Sequence, residues 1–206
     1  LCTPWDSSSL DFLEEMGVLA YKVASADLTN IPLIELLIQT QKPLILSTGM
    51  STTEEIRFTS SVLDKANAEY AFLHCNSTYP APLEDINLSW IGELKKIHAT
   101  VGYSGHERGI SVTIAAVVMG ISIIERHFTL DRNMEGPDHA ASLEFDEFSR
   151  LVEGVRQVEA ALGSANEERP LSQGEMINRE NLAKSLVSSG PLKSGLILSA
   201  ENIAVK

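Results

Sequence analysis

With 206 residues, the chain is long enough to bury one sizeable hydrophobic core, or one domain and part of a second. Its content of 44% hydrophobic and 21% charged residues is ordinary for a soluble globular enzyme. The net charge of −12 argues against non-specific nucleic-acid binding, and no apolar run approaches the roughly 18 residues of a membrane span.

The first 163 residues alternate between short strand-like runs and amphipathic helices. Strands are predicted at 1–3, 21–25, 43–46, 70–75, 101–104 and 121–125. Helices are predicted at 9–17 with Ser9 as the N-cap, at 32–39, from Thr52 or Thr53 onward, at 89–97, at 110–119 and at 145–162. The chain is therefore expected to contain six β/α units.

This alternation, with apolar strands, predicts an α/β fold in which helices cover a parallel sheet. A doubly wound sheet would prefer a glycine-rich phosphate loop after its first strand, and none is present. Polar residues instead follow almost every strand: Thr3, Lys22, Ser25, Ser47, Asn76, Ser77, Ser104, His106 and His127. A (β/α)₈ TIM barrel requires this distribution, because all its strand ends converge on one mouth. Six units do not close such a barrel, so two preceding strands are predicted to be missing from this chain.

Two histidines stand where predicted strands give way to loops. His106 follows the strand at 101–104, and His127 follows the strand at 121–125. Imidazoles at the mouths of adjacent strands can share one divalent metal ion, and neighbouring carboxylates can orient or assist. Glu125 and Asp138 are such carboxylates in the same stretch of sequence. The stretch therefore predicts a metal-dependent site.

The composition changes after residue 163. Residues 164–184 are rich in Glu, Ser and Asn and contain Pro170, which predicts a polar linker. Residues 185–206 carry two short β-type runs around a turn from Pro191 to Gly195. This module is too short to bury a core alone. The predicted organisation is a first domain at 1–163, a linker at 164–184, and the beginning of a second domain at 185–206.

Seven motifs occur in an order and spacing that together resemble one enzyme family. They are TPWD, YKVAS, LILSTGM, LHCNSTYPAP, VGYSGH, IIERHFTLD and GPDHAAS. The resemblance is to the sialic acid synthase family, which includes N-acetylneuraminate, legionaminate and pseudaminate synthases, and it covers the whole chain. It implies a (β/α)₈ barrel joined to a C-terminal antifreeze-like (SAF) domain. Residues 1–163 would then hold barrel strands three to eight, and residues 185–206 would open the SAF domain.

The resemblance also implies a reaction. Family members condense phosphoenolpyruvate with an N-acetylmannosamine-type sugar to a nine-carbon 2-keto acid and release phosphate. His106 and His127 match the family's metal-binding histidines, which implies a divalent ion, Mn²⁺ first, with Mg²⁺ or Co²⁺ as alternatives. Such an ion would polarise the sugar aldehyde and stabilise the developing alkoxide. Glu125 fits a carboxylate near the reacting centre that can position water or move a proton.

Further residues match the family's substrate contacts. Those on the phosphoenolpyruvate side are Lys22, Ser25, Ser47 and Ser104, with Thr3 on the neighbouring strand end. Ser77 stands where some members carry Asn, and Tyr79 and Asp138 match positions that face the sugar. Arg179 lies where related chains often have a basic residue that reaches phosphate. Lys22 would also be costly to bury unless an anion paired with it, which favours phosphate binding.

The resemblance implies a domain-swapped homodimer, in which a partner subunit's SAF domain brings a sugar-contacting Arg from beyond Lys206. No nucleic-acid or membrane partner is expected. Cys2 and Cys75 are too few for a disulfide framework and indicate reduced thiols in a cytoplasmic protein. The isolated 206-residue chain is expected to be inactive and poorly folded, because open strand edges expose unpaired backbone groups.

Two other functions are compatible with these residues. A class I aldolase would use Lys22 to form an imine with a keto acid. Alternatively, the chain is an inactive, truncated sugar-binding remnant of a barrel. The identity of the sugar also stays open among N-acetylmannosamine, its 6-phosphate and a 2,4-diacetamido analogue, although Asn76-Ser77 slightly favours a legionaminate-type substrate.

Overall fold

The chain divides into two units, Leu1–Gly163 and Ser164–Lys206, which are described separately. The structure is a computed structural model that describes residues 1–164 and 168–206. Within those ranges, no helix combines the length and the apolar content that crossing a membrane requires.

A five-stranded parallel sheet forms the centre of the first unit. Its strands are β1 (Tyr21–Val23), β2 (Leu44–Ser47), β3 (Tyr70–Cys75), β4 (Val101–Gly105) and β5 (Ile123–Arg126). Each strand pairs with the next one along the chain. Cys2 adds a single parallel bridge to Tyr21 beside β1. The predicted α/β class and parallel sheet are confirmed, but the strand predicted at 1–3 is reduced to this one bridge.

Helices alternate with these strands, with one helix before β1 and one after each strand. They are α1 (Ser7–Glu15), α2 (Ile31–Gln39), α3 (Thr53–Lys65), α4 (Ile91–Ile97), α5 (Ser111–Val118) and α6 (Phe145–Leu162). Thr52 and Glu55 form a reciprocal capping box that explains where α3 begins. The prediction of Ser9 as the first N-cap is wrong, because the side chain of Asp6 accepts a hydrogen bond from the Ser9 N–H and α1 begins earlier.

Apolar side chains from the strands and helices form the core of the first unit. Its largest fully buried members include Tyr21, Phe72 and Tyr103, with leucines and isoleucines from both layers around them. The residues of β5, at the edge of the sheet, are only half-buried, although the side chain of Arg126 is not exposed to solvent. The polar strand ends therefore rest on a tightly packed base, except along β5.

The second unit contains helix α7 (Gln173–Leu182) and an antiparallel pair, β6 (Leu186–Ser188) and β7 (Ile203–Val205). Within the segment predicted as a linker, 164–184, Ser172 and Glu175 form a capping box that begins α7, a helix that was not predicted from the sequence. The Ser-x-x-Glu pattern indicates the start of a helix, but the polar composition around it is typical of a linker.

The close approach of β4 and β5 gives a first prediction. A Cβ at Gly102 would lie 2.5 Å from the carbonyl oxygen of Ile123 and 2.8 Å from its Cβ. Gly102→Ala should therefore displace β5 and lower the free energy of unfolding in urea by about 1–3 kcal/mol, the usual cost of overpacking. Gly92→Ala on α4 is the control, since a Cβ there meets nothing within 4 Å and alanine favours helix. Wild-type stability of the Gly102→Ala protein would contradict the prediction.

Candidate active site

Polar side chains at the carboxyl ends of the strands surround one cavity of about 750 Å³. All the site residues predicted from the sequence line this cavity, except Arg179. The lining residues that sequence analysis did not assign are Trp5, Ala24, Ala26, Met50, Cys75, Arg126 and Pro137. Arg179 lies on α7 in the second unit, where it is exposed. Its contact with phosphate stays a prediction.

Lys22, Glu125 and Ser104 form one connected group in the cavity. Lys22 Nζ donates to the Val23 carbonyl at 2.8 Å and lies 3.7 Å from Glu125 Oε2. Ser104 Oγ donates to the other oxygen of Glu125 at 2.8 Å. Burial lowers the pKa of Lys22, and the nearby Glu125 carboxylate opposes that shift. This ammonium group has lost most of its hydration, so a bound anion would stabilise it.

Hydroxyl groups crowd around the backbone of Gly49. Its N–H donates to Ser25 Oγ at 3.1 Å. A Cβ at this position would collide with Ser77 Oγ, and would lie 2.8 Å from Ser25 Oγ and 3.3 Å from Cys75 Sγ, so the close approach requires glycine. Among the described residues, Ser47 Oγ is buried without a hydrogen-bond partner. A cluster of hydroxyls with one unsatisfied member is suited to a ligand that carries several oxygens, such as a phosphate or a carboxylate.

His106 and His127 lie beside each other at adjacent strand ends. Their ring centroids are 5.0 Å apart, and the planes are inclined by 75°. His106 Nδ1 lies 2.6 Å from the Asn76 carbonyl oxygen. Because a carbonyl can only accept, Nδ1 must donate, and Nε2 keeps its lone pair. Burial lowers the pKa of His106, and burial followed by the charge of His106 lowers the pKa of His127.

Neutral imidazoles with one free nitrogen fit a divalent ion as two of its ligands. In the part of the chain that the structure describes, no group of three or more His, Cys, Asp or Glu side chains is placed to hold a metal. Water or substrate oxygens would therefore complete the coordination shell. Asp138 Oδ1 lies 4.0 Å from His127 Nδ1, on the side where a carboxylate can orient the ring.

The ring of Tyr79 covers the histidine pair. Its centroid lies 4.1 Å from that of His106 and 5.6 Å from that of His127. Burial raises the pKa of Tyr79 to about 12. The phenol therefore stays protonated at neutral pH and can donate a hydrogen bond into the cavity.

Two features next to His106 were not predicted from the sequence. Cys75 Sγ lies 3.8 Å from His106 Nδ1. Glu107 and Arg126 form an ion pair whose side chains are fully buried, with Arg126 Nη1 2.8 Å from Glu107 Oε1. A signal for the ion pair existed, because side chains in a strand alternate between faces and Arg126 must point away from its two neighbours in the cavity.

A model of one protein family matches residues 1–167. The chain belongs to the NeuB family. The N,N'-diacetyllegionaminic acid synthase of Campylobacter jejuni is 41% identical over 100% of this chain and 62% of its own length. The N-acetylneuraminate-9-phosphate synthase of Homo sapiens is 39% identical over 98% and 56%.

A solved structure shows the same likeness in three dimensions. The N-acetylneuraminic acid synthetase of Leptospira borgpetersenii superposes with a TM-score of 0.80 and 37% identity, over 88% of this chain and 64% of that one. The predicted resemblance to sialic acid synthases is thus confirmed. The chain spans about three fifths of the length of the relatives that it matches.

His106, which is buried, and His127, which is half-buried, give a second prediction. In metal-free protein, both imidazoles should titrate below 6.5, the ordinary pKa of histidine, because burial penalises the charged ring. The unfolded chain then binds protons first as the pH falls. The contribution of the two neutral histidines to the free energy of unfolding is therefore complete above pH 6.5. It is lost as the pH falls through the lowered pKa values of the folded protein. Long-range ¹H–¹⁵N spectra measure both midpoints, and should show His106 protonated on Nδ1. A midpoint at or above 6.5 would contradict this.

Proposed function

We propose that the protein condenses phosphoenolpyruvate with an N-acetylmannosamine-type sugar, its 6-phosphate or its diacetamido analogue, to give a nonulosonic acid and phosphate. One observation carries the proposal: a single cavity joins a desolvated ammonium group, a hydroxyl cluster and two neutral imidazoles. These groups meet the needs of the reaction, which are anion binding, orientation and carbonyl activation. Membership of the NeuB family supports the same conclusion.

Phosphoenolpyruvate would bind beside Lys22. The molecule carries a phosphate and a carboxylate, so it requires a cation and several hydrogen-bond donors. Lys22 supplies the cation, at a position where an anion offsets the cost of its burial. The donors would be the hydroxyls of Thr3, Ser25, Ser47, Ser77 and Ser104.

The sugar would bind on the histidine side of the cavity, where Tyr79 and Asp138 also lie. His106 and His127 would hold Mn²⁺, with Mg²⁺ or Co²⁺ as alternatives. When bound, such an ion polarises the sugar carbonyl and stabilises negative charge on its oxygen. Glu125 contacts Lys22 on one side and Ser104 on the other, and from there can orient water or move a proton at the reacting carbon.

The remaining architecture follows from the same family. Residues 1–163 would be strands three to eight of a (β/α)₈ barrel, and residues 185–206 the start of an SAF domain. Sequential parallel pairing of β1 to β5, and the bridge at Cys2, support the barrel. The full-length enzyme would be a homodimer in which each SAF domain contributes a sugar-contacting Arg to the partner's site. Arg179 would add a phosphate contact.

The decisive experiment is a substrate panel with the full-length protein. Each of the three sugars is incubated with the enzyme, phosphoenolpyruvate and Mn²⁺. One preferred sugar should yield phosphate and nonulosonic acid in equal amounts, and chelation of the metal should abolish turnover. His106→Ala and His127→Ala should each lower kcat/KM by on the order of 10²–10³-fold, as loss of an electrostatic stabiliser does.

His98→Gln is the matched control for the histidine variants, since its ring stacks on Tyr70 at 3.9 Å and does not line the cavity. It should retain metal affinity and turnover. Normal metal affinity and activity in the His106 and His127 variants would refute the proposed function.

One observation favours a second candidate, a class I aldolase: burial lowers the pKa of Lys22, as in amines that form imines. Borohydride reduction in the presence of pyruvate separates the two functions. We expect no adduct on Lys22, because the ammonium group is engaged by Val23 and Glu125. Peptide mass spectrometry measures the adduct, with Lys42 as the internal control for background labelling. Selective, metal-independent labelling of Lys22 would favour the aldolase.

A further inference from the structure

A buried ion pair lies directly beside the two histidines. Arg126 Nη1 is 2.8 Å from Glu107 Oε1, and neither side chain is exposed to solvent. Glu107 follows His106 in the sequence, and Arg126 precedes His127. Each charged residue is thus one peptide bond away from a histidine that lines the cavity.

The guanidinium group of Arg126 binds backbone as well as carboxylate. Its Nη2 donates to the Glu107 carbonyl at 2.6 Å, and its Nη1 donates to the Gly109 carbonyl at 2.9 Å. Glu107 also accepts from Tyr103 Oη at 2.8 Å and from Thr113 Oγ1 at 3.0 Å. Arg126, at the end of β5, therefore binds the loop that follows β4. Arg126, Glu107, Tyr103 and Thr113 at the start of α5 together form one hydrogen-bonded network.

Strand geometry directs the side chains of this network away from the cavity, although Arg126 also borders the cavity. Ser104 pairs in register with Glu125, and Gly105 pairs with Arg126. Because side chains alternate, the first pair points into the cavity and the second position points to the opposite face. Gly105 leaves the space that the network fills, since a Cβ there would lie 2.7 Å from Glu107 Oε2 and 3.1 Å from Arg126 Cδ.

We propose that Glu107 and Arg126 are positioning residues that fix the separation and orientation of His106 and His127 for one shared divalent ion. The inference rests on the proposed metal site. An ion pair of this kind is weak as a stabilising device, because burial removes the hydration of both charges. A rigid guanidinium fork is well suited to locking two strand ends together, because it holds several acceptors in one plane.

The test changes the guanidinium group of Arg126 and leaves the proposed metal ligands, His106 and His127, unchanged. Arg126→Lys keeps the charge but replaces the fork by one ammonium group, and Tyr103→Phe removes a single hydrogen bond to Glu107. In the full-length protein, Arg126→Lys should weaken Co²⁺ binding by about 10–100-fold, as loss of groups that orient metal ligands does. It should also shift the visible absorption bands of bound Co²⁺. Tyr103→Phe should cause a smaller change in the same direction, and it remains informative if Arg126→Lys does not fold.

The affinity for phosphoenolpyruvate in the absence of metal distinguishes a loss of histidine positioning from a general disruption of the fold. Lys22 and Ser47 lie on β1 and β2, away from the network. Ser104 follows Tyr103 on β4 but points to the opposite face of the strand, so this affinity should be unchanged in both variants. Glu14→Gln is the matched control. Glu14 binds Lys42 at 2.6 Å and accepts from Tyr21, near the opposite ends of the strands. This variant should lower Tm and leave the affinity and spectrum of Co²⁺ unaltered.

The outcomes distinguish this inference from the proposed function. If Arg126→Lys and Tyr103→Phe kept the wild-type Co²⁺ affinity and spectrum, the positioning role would be overturned and the proposed function would stand. The positioning role would also be overturned if the affinities for metal and for phosphoenolpyruvate both fell together with Tm, because the ion pair would then be purely structural. A wild-type protein that bound neither Co²⁺ nor Mn²⁺ would overturn the proposed metal site and, with it, this inference.

Discussion

The parallel register between β4 and β5 is the constraint on which the site depends. It sets Ser104 opposite Glu125 and Gly105 opposite Arg126. A shift of β5 by one residue would exchange the two faces of the strand, so the guanidinium of Arg126 would enter the cavity and the Glu125 carboxylate would enter the core. The register therefore decides which charge can meet a ligand. It also brings the residues that follow each strand, His106 and His127, to the same face.

Burial then sets the chemistry of the groups that this register presents. Burial is the largest cause of the lowered pKa of Lys22, His106 and His127. The consequence differs between the two kinds of group. A poorly hydrated ammonium gains from any anion placed beside it, whereas a poorly hydrated imidazole stays neutral and keeps a lone pair for a metal. In the proposed function, the same physical effect would thus give the cavity one side for an anion and another side for a cation.

Much of the first unit could be predicted from local sequence, because apolar runs followed by Ser, Asn or His mark the ends of parallel strands. Helix α6 lies at 145–162, as predicted. Helix α7 was missed because most of its side chains are exposed, so its composition resembles that of a linker. The cavity residues at strand ends were predictable for the same reason as the strands. For Arg126, strand alternation predicts only the face on which the side chain lies. Its pairing with Glu107 depends on tertiary packing, in which Thr113 on α5 binds both side chains.

Glu125 connects the two sides of the cavity, and its position explains how they could act together. Without a ligand, its carboxylate lies 3.7 Å from the Lys22 ammonium, and it also accepts from Ser104. In the proposed reaction, an anionic substrate would compete for the same ammonium and add negative charge beside the carboxylate. Like charges at short range repel, so a bound anion would weaken the contact between the Glu125 carboxylate and the Lys22 ammonium. In the proposed reaction, the ion pair with Lys22 would therefore couple occupancy of the anion side to the position of the Glu125 carboxylate, which Ser104 holds near the histidines.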